Sequence, residues 1–160
     1  SSESGEAAGF QALSEEEQAV FLSARDYYLS YLQAINALDP AQLAQCTDFC
    51  RETMAYRIEN YNRGYLFRFR QMEVDLDSLE LLTGQPVKTA SFRAAFRYEY
   101  AYRNNSGSWT ADENVQWCHL EYDEEGESWK MNYTEQKAEA LSDNTFYMPD
   151  PENSPEGSEE

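Results

Sequence analysis

Hydrophobic positions in this chain change period once, near residue 64, and the change divides it into two halves. Val20, Phe21, Ala24, Tyr28, Tyr31, Leu32, Ile35 and Leu38 recur at helical spacing. Ser14-Glu15-Glu16-Glu17 precedes them as a capping-box pattern, with acids suited to the positive end of a helix dipole. Asp39-Pro40 supplies a fresh N-cap with proline at the first helical position. The second helix expected from there carries Leu43, Cys46, Cys50, Met54, Ile58 and Tyr61 on one stripe and ends near Gly64.

From Tyr65 the period is two. Val74 and Leu76 share one phase and Leu79 and Leu81 the other, which predicts a bulge near Asp77-Ser78. Thr83-Gly84-Gln85-Pro86 is a turn into a strand over Phe92–Arg103, where even positions are apolar or aromatic and Arg93, Arg97, Glu99 and Arg103 take odd ones. Turns at 104–108 and 124–126 delimit strands over Trp109–Tyr122 and Glu127–Glu135. The expected fold is α+β: N-terminal helices packed on a curved antiparallel meander. Its expected divisions are an acidic linker over 1–13, one domain over 14–137, and an acidic tail over 138–160, largely disordered after Met148.

Charge narrows the class of partner. Of the net −18, residues 1–17 contribute five acids and residues 139–160 seven, with no base in either segment. The centre holds 18 acids against all 12 bases, a net of only −6. Nucleic acid and anionic membrane surfaces both require a basic face, so neither is an expected partner. No stretch approaches the roughly 20 apolar residues of a membrane span. The start Ser1–Gly9, without an initiator Met, suits an excised or processed chain whose upstream linker and membrane anchor lie elsewhere. A cloning remnant on a cytoplasmic domain is the alternative.

The segment Tyr27-Tyr28-Leu29-Ser30-Tyr31-Leu32-Gln33-Ala34-Ile35-Asn36-Ala37-Leu38-Asp39, the tight Asp39-Pro40 junction and the tyrosine-rich meander resemble the nuclear transport factor two-like superfamily, over about residues 14–137. Within it the likeness is to the C-terminal domains of membrane-anchored bacterial proteins of the TcaA kind. That resemblance implies a cone-shaped fold, a setting outside a Gram-positive membrane, and binding or assembly in place of catalysis. The superfamily also contains isomerases and dehydratases that use the cone as a pocket, so the fold does not choose between them.

Several constellations carry candidate chemistry. Arg93, Arg97 and Arg103 could fork around a carboxylate or phosphate on the sheet, or pair with Glu73, Asp75 and Asp77 across strands. His119, the one histidine, is a candidate general base, with Tyr98, Tyr100 or Glu99 as partners if they converge on it. The twelve tyrosines serve either as core or as the wall of a ligand cavity. Cys46 and Cys50, four apart, could share a helix face, but the donors for a zinc site are lacking. Burial of all three cysteines is the simpler expectation, and a disulfide from Cys118 to Cys46 or Cys50 the alternative. No cofactor is expected.

The function these features favour is a non-catalytic, extracytoplasmic domain that binds a protein or cell-envelope component through the arginine face or the cone mouth. A cone-pocket isomerase or dehydratase built on His119, and a sheet-mediated homodimer, are the alternatives.

Overall fold

The computed structural model describes residues 9–136 and 139–149. Helix α1 spans Glu15–Ala37 and starts where the capping box predicts: the Ser14 hydroxyl accepts from the Glu17 N–H at 3.1 Å, and the Ser14 N–H donates to the Glu17 carboxylate at 3.0 Å. It ends at Leu38, whose left-handed backbone (φ 56°) turns the chain out of the helix. Its inward stripe of Val20, Phe21, Ala24, Tyr28, Leu32 and Ile35 is buried against the sheet.

The second helix differs from expectation. Asp39 does cap a helix, but only the three-residue 3-10 turn Pro40–Gln42. Leu43 is then extended, and Cys46 forms a parallel bridge with Met131. Main-chain bonds from Thr47 N to Met131 O and from Met131 N to Gln45 O, both 2.9 Å, hold that bridge. Helix α2 therefore begins only at Asp48, capped by Thr47, and runs to Asn60. Cys46 lies outside it, and Tyr61 is exposed instead of closing an apolar stripe.

The sheet comprises β1 (Tyr65–Leu82), β2 (Thr89–Tyr102), β3 (Asn105–Asp123), β4 (Ser128–Glu135) and β5 (Thr145–Tyr147), in the order β4-β3-β2-β1-β5 with each pair antiparallel. The first four form the expected meander. A register shift between Asp75 and Glu80 matches the phase change read at Asp77-Ser78, and another follows Phe69. Phe92 pairs with Cys118 and Ala94 with Gln116, all buried, so even positions of β2 and β3 point toward the helices here. Phe21 meets Phe92 edge-on at 4.8 Å and Tyr28 stacks on Phe96 at 4.2 Å, joining α1 to the sheet. At the open end the Asn36 amide acts as a short stretch of strand: it donates to Phe67 O at 2.7 Å and accepts from Phe67 N at 2.8 Å on the edge of β1.

The boundary expected at residue 137 falls short of the packed unit. Because β4 and β5 are on opposite edges, the segment between them crosses the outer face of the sheet. Ala140 O accepts from Arg93, and Ser142 binds Asp75. Phe146 and Met148 are buried, with Phe146 lying 5.9 Å from Phe21. The expected disorder after Met148 falls almost wholly outside the described residues.

Candidate functional site

The predicted arginine fork is occupied by the protein itself. Arg93 donates to Asp75 and to Glu139, each at 3.0 Å, and lies over Trp117. Arg97 joins Glu73 at 3.1 Å and Glu113 at 2.9 Å, while Glu99 receives Arg68 and Arg70 together. This is the cross-strand ladder that the acids at 73 and 75 allow. Arg103 does not belong to it. Its guanidinium turns to the end of α1 and donates to the carbonyls of Ile35, Asn36, Arg63 and Tyr65 at 2.9–3.4 Å. Helix ends leave carbonyls without partners, and Arg103 supplies them.

His119 is on the outer face, opposite to the phase of Tyr98 and Tyr100, so these three do not converge. The histidine pairs in register with Ser91 and Tyr133 and stacks on the Tyr133 ring at 4.2 Å. Its Nδ1 is 2.9 Å from Ser91 Oγ and its Nε2 is 2.9 Å from Glu135 Oε1. Serine, histidine and glutamate in line suggest a nucleophile and its base, but acyl transfer also needs donors aimed at a developing oxyanion. The β2 and β3 amides around Ser91 are engaged in the ladder. Tyr98 reaches Asp112 only at 3.4 Å, and its hydroxyl is pushed up to about 12 by burial and then by that carboxylate.

All three cysteines are free and buried, as the simpler expectation had it, and the alternative disulfide from Cys118 to Cys46 or Cys50 is not formed. Cys118 is wholly buried on the inner face of β3, and burial alone raises its pKa. Cys46 and Cys50 touch each other instead. The Cys50 thiol hydrogen-bonds Cys46 and lowers it to about 7, while Cys50 itself is raised by that bond and by burial. Among the described residues no group of histidine, cysteine and acid side chains could hold a metal.

A cavity of about 380 Å³ opens between the two helices and the inner face of β3 and β4. Tyr27, Tyr28 and Tyr31 from α1 wall one side, and α2 contributes Thr53, Met54 and Arg57. From the sheet come Asn114, Gln116 and Thr134. The rings of Tyr27 and Tyr28 lie 6.3 and 6.1 Å from that of Tyr31. Burial raises the pKa of all three, so they stay neutral hydroxyls; for Tyr27 the neighbouring Cys50 adds to the effect. Gln116 is 8% exposed, and its side-chain amide, open to the cavity, has no hydrogen-bond partner in the protein among the described residues. The same is true of the side chains of Asn62, Asn114 and Thr134. Polar side chains gathered around one hollow and bonded to no protein group there are available to meet a ligand that enters it.

A hollow of about 430 Å³ beside Arg97 makes the contrast clear. Its polar lining of Arg70, Gln71, Arg97, Tyr98, Asp112 and Glu113 is bonded to other side chains of the protein. It offers a ligand little unmet hydrogen bonding.

Sequence reasoning named the tyrosines as a candidate cavity wall but missed Arg57, Asn114, Gln116 and Thr134. A signal did exist for two of them: Asn114 and Gln116 share the phase of Cys118 and Leu120, and are polar groups on an inward face.

A sequence model of the YvbJ NTF2-like domain matches residues 20–135, which include most of α1, all of α2 and the whole meander. Among solved structures, a nuclear transport factor 2 (NTF2-like) superfamily protein from Salmonella enterica subsp. enterica serovar Typhimurium str. LT2 matches at 10% identity and a TM-score of 0.40, covering 69% of this chain and 86% of that one. No curated protein matches the chain.

Proposed function

This chain belongs to the YvbJ NTF2-like domain family, and we propose that it is a non-catalytic binding domain whose ligand enters the cavity between the helices and the sheet. The observation that carries the reading is Gln116, a largely buried residue whose amide opens onto that cavity and has no hydrogen-bond partner in the protein among the described residues. The lining supplies hydroxyls, amides and one guanidinium, but no carboxylate, imidazole or amine to move a proton near neutral pH. That composition favours binding over the isomerase or dehydratase alternative.

The setting we infer is the outer side of a bacterial membrane, with the domain carried by an anchor in a longer protein of the TcaA-like kind and its ligand a component of the cell envelope. The sequence resemblance supports this, and protease accessibility on intact cells would test it. Among the described residues no helix is long and apolar enough to cross a membrane. A sheet-mediated homodimer has less support, because the outer face carries paired charges and the 139–142 crossing segment in place of a bare apolar surface.

Gln116→Leu tests the cavity. The variant should match the wild type in stability within about 0.5–1 kcal/mol, and should lose the fragments that the wild type binds in an NMR screen. A variant less stable than that would make Gln116 a structural residue and remove the argument.

A further inference from the structure

Arg57 differs from every other basic side chain in the described part of the molecule. Arg25, Arg51, Arg63, Arg68, Arg70, Arg93, Arg97 and Arg103 each donate to a carboxylate or a carbonyl. Lys88 pairs with Glu16 and Lys130 with Asp123. Arg57 alone has no acceptor among the described residues. In a chain with 30 acids against 12 bases, a cation without an acidic neighbour is the less expected arrangement. Its guanidinium lies 5.4 Å from the centre of the Tyr61 ring, an aromatic contact that leaves its N–H groups unused. It also lines the cavity mouth, close enough for its charge to favour the ionised form of Tyr31.

Resting on the cavity reading above, we propose that the ligand is a monocarboxylate with a neutral, amide- or hydroxyl-bearing body, its carboxylate held by Arg57 at the mouth. A guanidinium matches a carboxylate with two parallel hydrogen bonds. The lining contains one cation and no acid, so a second anionic group would have no counter-charge and an ammonium no acceptor of opposite sign. Deeper in, the amides of Asn114 and Gln116 each offer both a donor and an acceptor, which suits a peptide group or a sugar hydroxyl. Tyr27, Tyr28 and Tyr31 take the flat or apolar side of the same body. A volume of about 380 Å³ admits a short acyl-peptide end or a single sugar acid.

The test uses four probes titrated by NMR: N-acetyl-alanyl-alanine, its C-terminal amide, glucuronic acid and neutral glucose. For at least one pair the carboxylate should bind tenfold or more tightly than its neutral partner, and whichever pair responds identifies the source as peptide or sugar. In Arg57→Gln that ratio should collapse toward one while binding of the neutral probe changes little. Arg57→Lys should keep part of the ratio, since it retains charge without the planar fork. Arg57 is exposed on α2, so these variants fold. Equal binding of charged and neutral probes would overturn the proposal and leave the cavity reading intact. A preference unchanged in Arg57→Gln would overturn it too. Absence of binding by every probe would also refute the ligand class, while the fragment screen on the wild type and Gln116→Leu reports separately on the cavity.

Discussion

Asp75 lies on the outer face of the sheet yet is completely buried, because the segment that crosses to β5 covers it. Its carboxylate accepts from Ser142 Oγ at 2.5 Å, Ser142 N at 2.9 Å, Arg93 Nη2 at 3.0 Å and Asp77 N at 3.1 Å. Removing it in Asp75→Ala leaves Arg93 Nη2 without its acceptor beside an Nε that already has none, and frees both Ser142 donors. Breaking a buried charge pair from one side costs about 3–5 kcal/mol. For a domain of this size that corresponds to roughly 10–20 °C in Tm. Asp75→Asn keeps an acceptor but not the charge, and should lose about half as much. Urea denaturation gives the free energy, and hydrogen exchange should show the 145–147 amides losing protection first. The pH dependence has a definite sign. Burial opposes ionisation of Asp75, but the two Ser142 bonds and the Arg93 charge outweigh it, so its folded pKa is depressed. The stabilisation is therefore complete above the ordinary carboxylate value of about 4 and lost as pH falls through the lower folded value. The gap between wild type and Asp75→Asn should be constant near neutrality and close in acid. Asp75→Ala unfolding within about 0.5 kcal/mol of the wild type, or retaining full protection over 145–147, would refute the reasoning.

Three further outcomes follow from the side chains described above. Arg103→Ala should cost about 2–3 kcal/mol by leaving helix-end carbonyls unpaired, and Arg103→Lys should recover less than half; denaturation of both variants measures this. Iodoacetamide should modify Cys46 before the other cysteines in the native protein, with a rate that rises as pH passes about 7, because the thiol of Cys50 stabilises its thiolate; mass spectrometry showing Cys118 modified first would contradict this. A fluorophosphonate probe should leave Ser91 unlabelled despite its contact with His119, since donors for the oxyanion are lacking; labelling would revive a hydrolase reading.

The fold was legible where structure is local. The capping box at Ser14 and the phase change after Leu76 are local signals, and both mark what the chain does. The start of α2 was not legible, because Leu43 and Cys46 fit a helical stripe and are drawn off it by Met131, some 85 residues away. Strand β5 is three residues long, in a stretch rich in Asp and Asn. Its position depends on Phe146 finding Phe10 and Phe21 and on Ser142 finding Asp75, none of which is a local preference. His119 illustrates the same limit within one strand. Val115, Trp117 and His119 alternate with Gln116, Cys118 and Leu120, and both sets are apolar enough to face inward. Only the pairing of Cys118 with the buried Phe92 decides the phase.

The candidate site was harder to read because what distinguishes it is a lack of pairing. Arginine next to acid, as at Arg97 and Glu73, can be anticipated from strand positions; an arginine left without an acid cannot, since any residue of opposite charge elsewhere in the chain is free to fold onto it. The two faces of the sheet then answer differently to the same perturbation. On the outer face the charges are paired with each other, so deleting one leaves its partner exposed to loss and the protein becomes less stable with ligand binding unaffected. In the cavity the polar groups have no protein partner to lose, so replacing one with an apolar side chain of similar size changes stability little while binding falls. A clear loss of stability in Asp75→Asn beside little change in Gln116→Leu therefore separates a residue kept for the fold from one kept for the ligand.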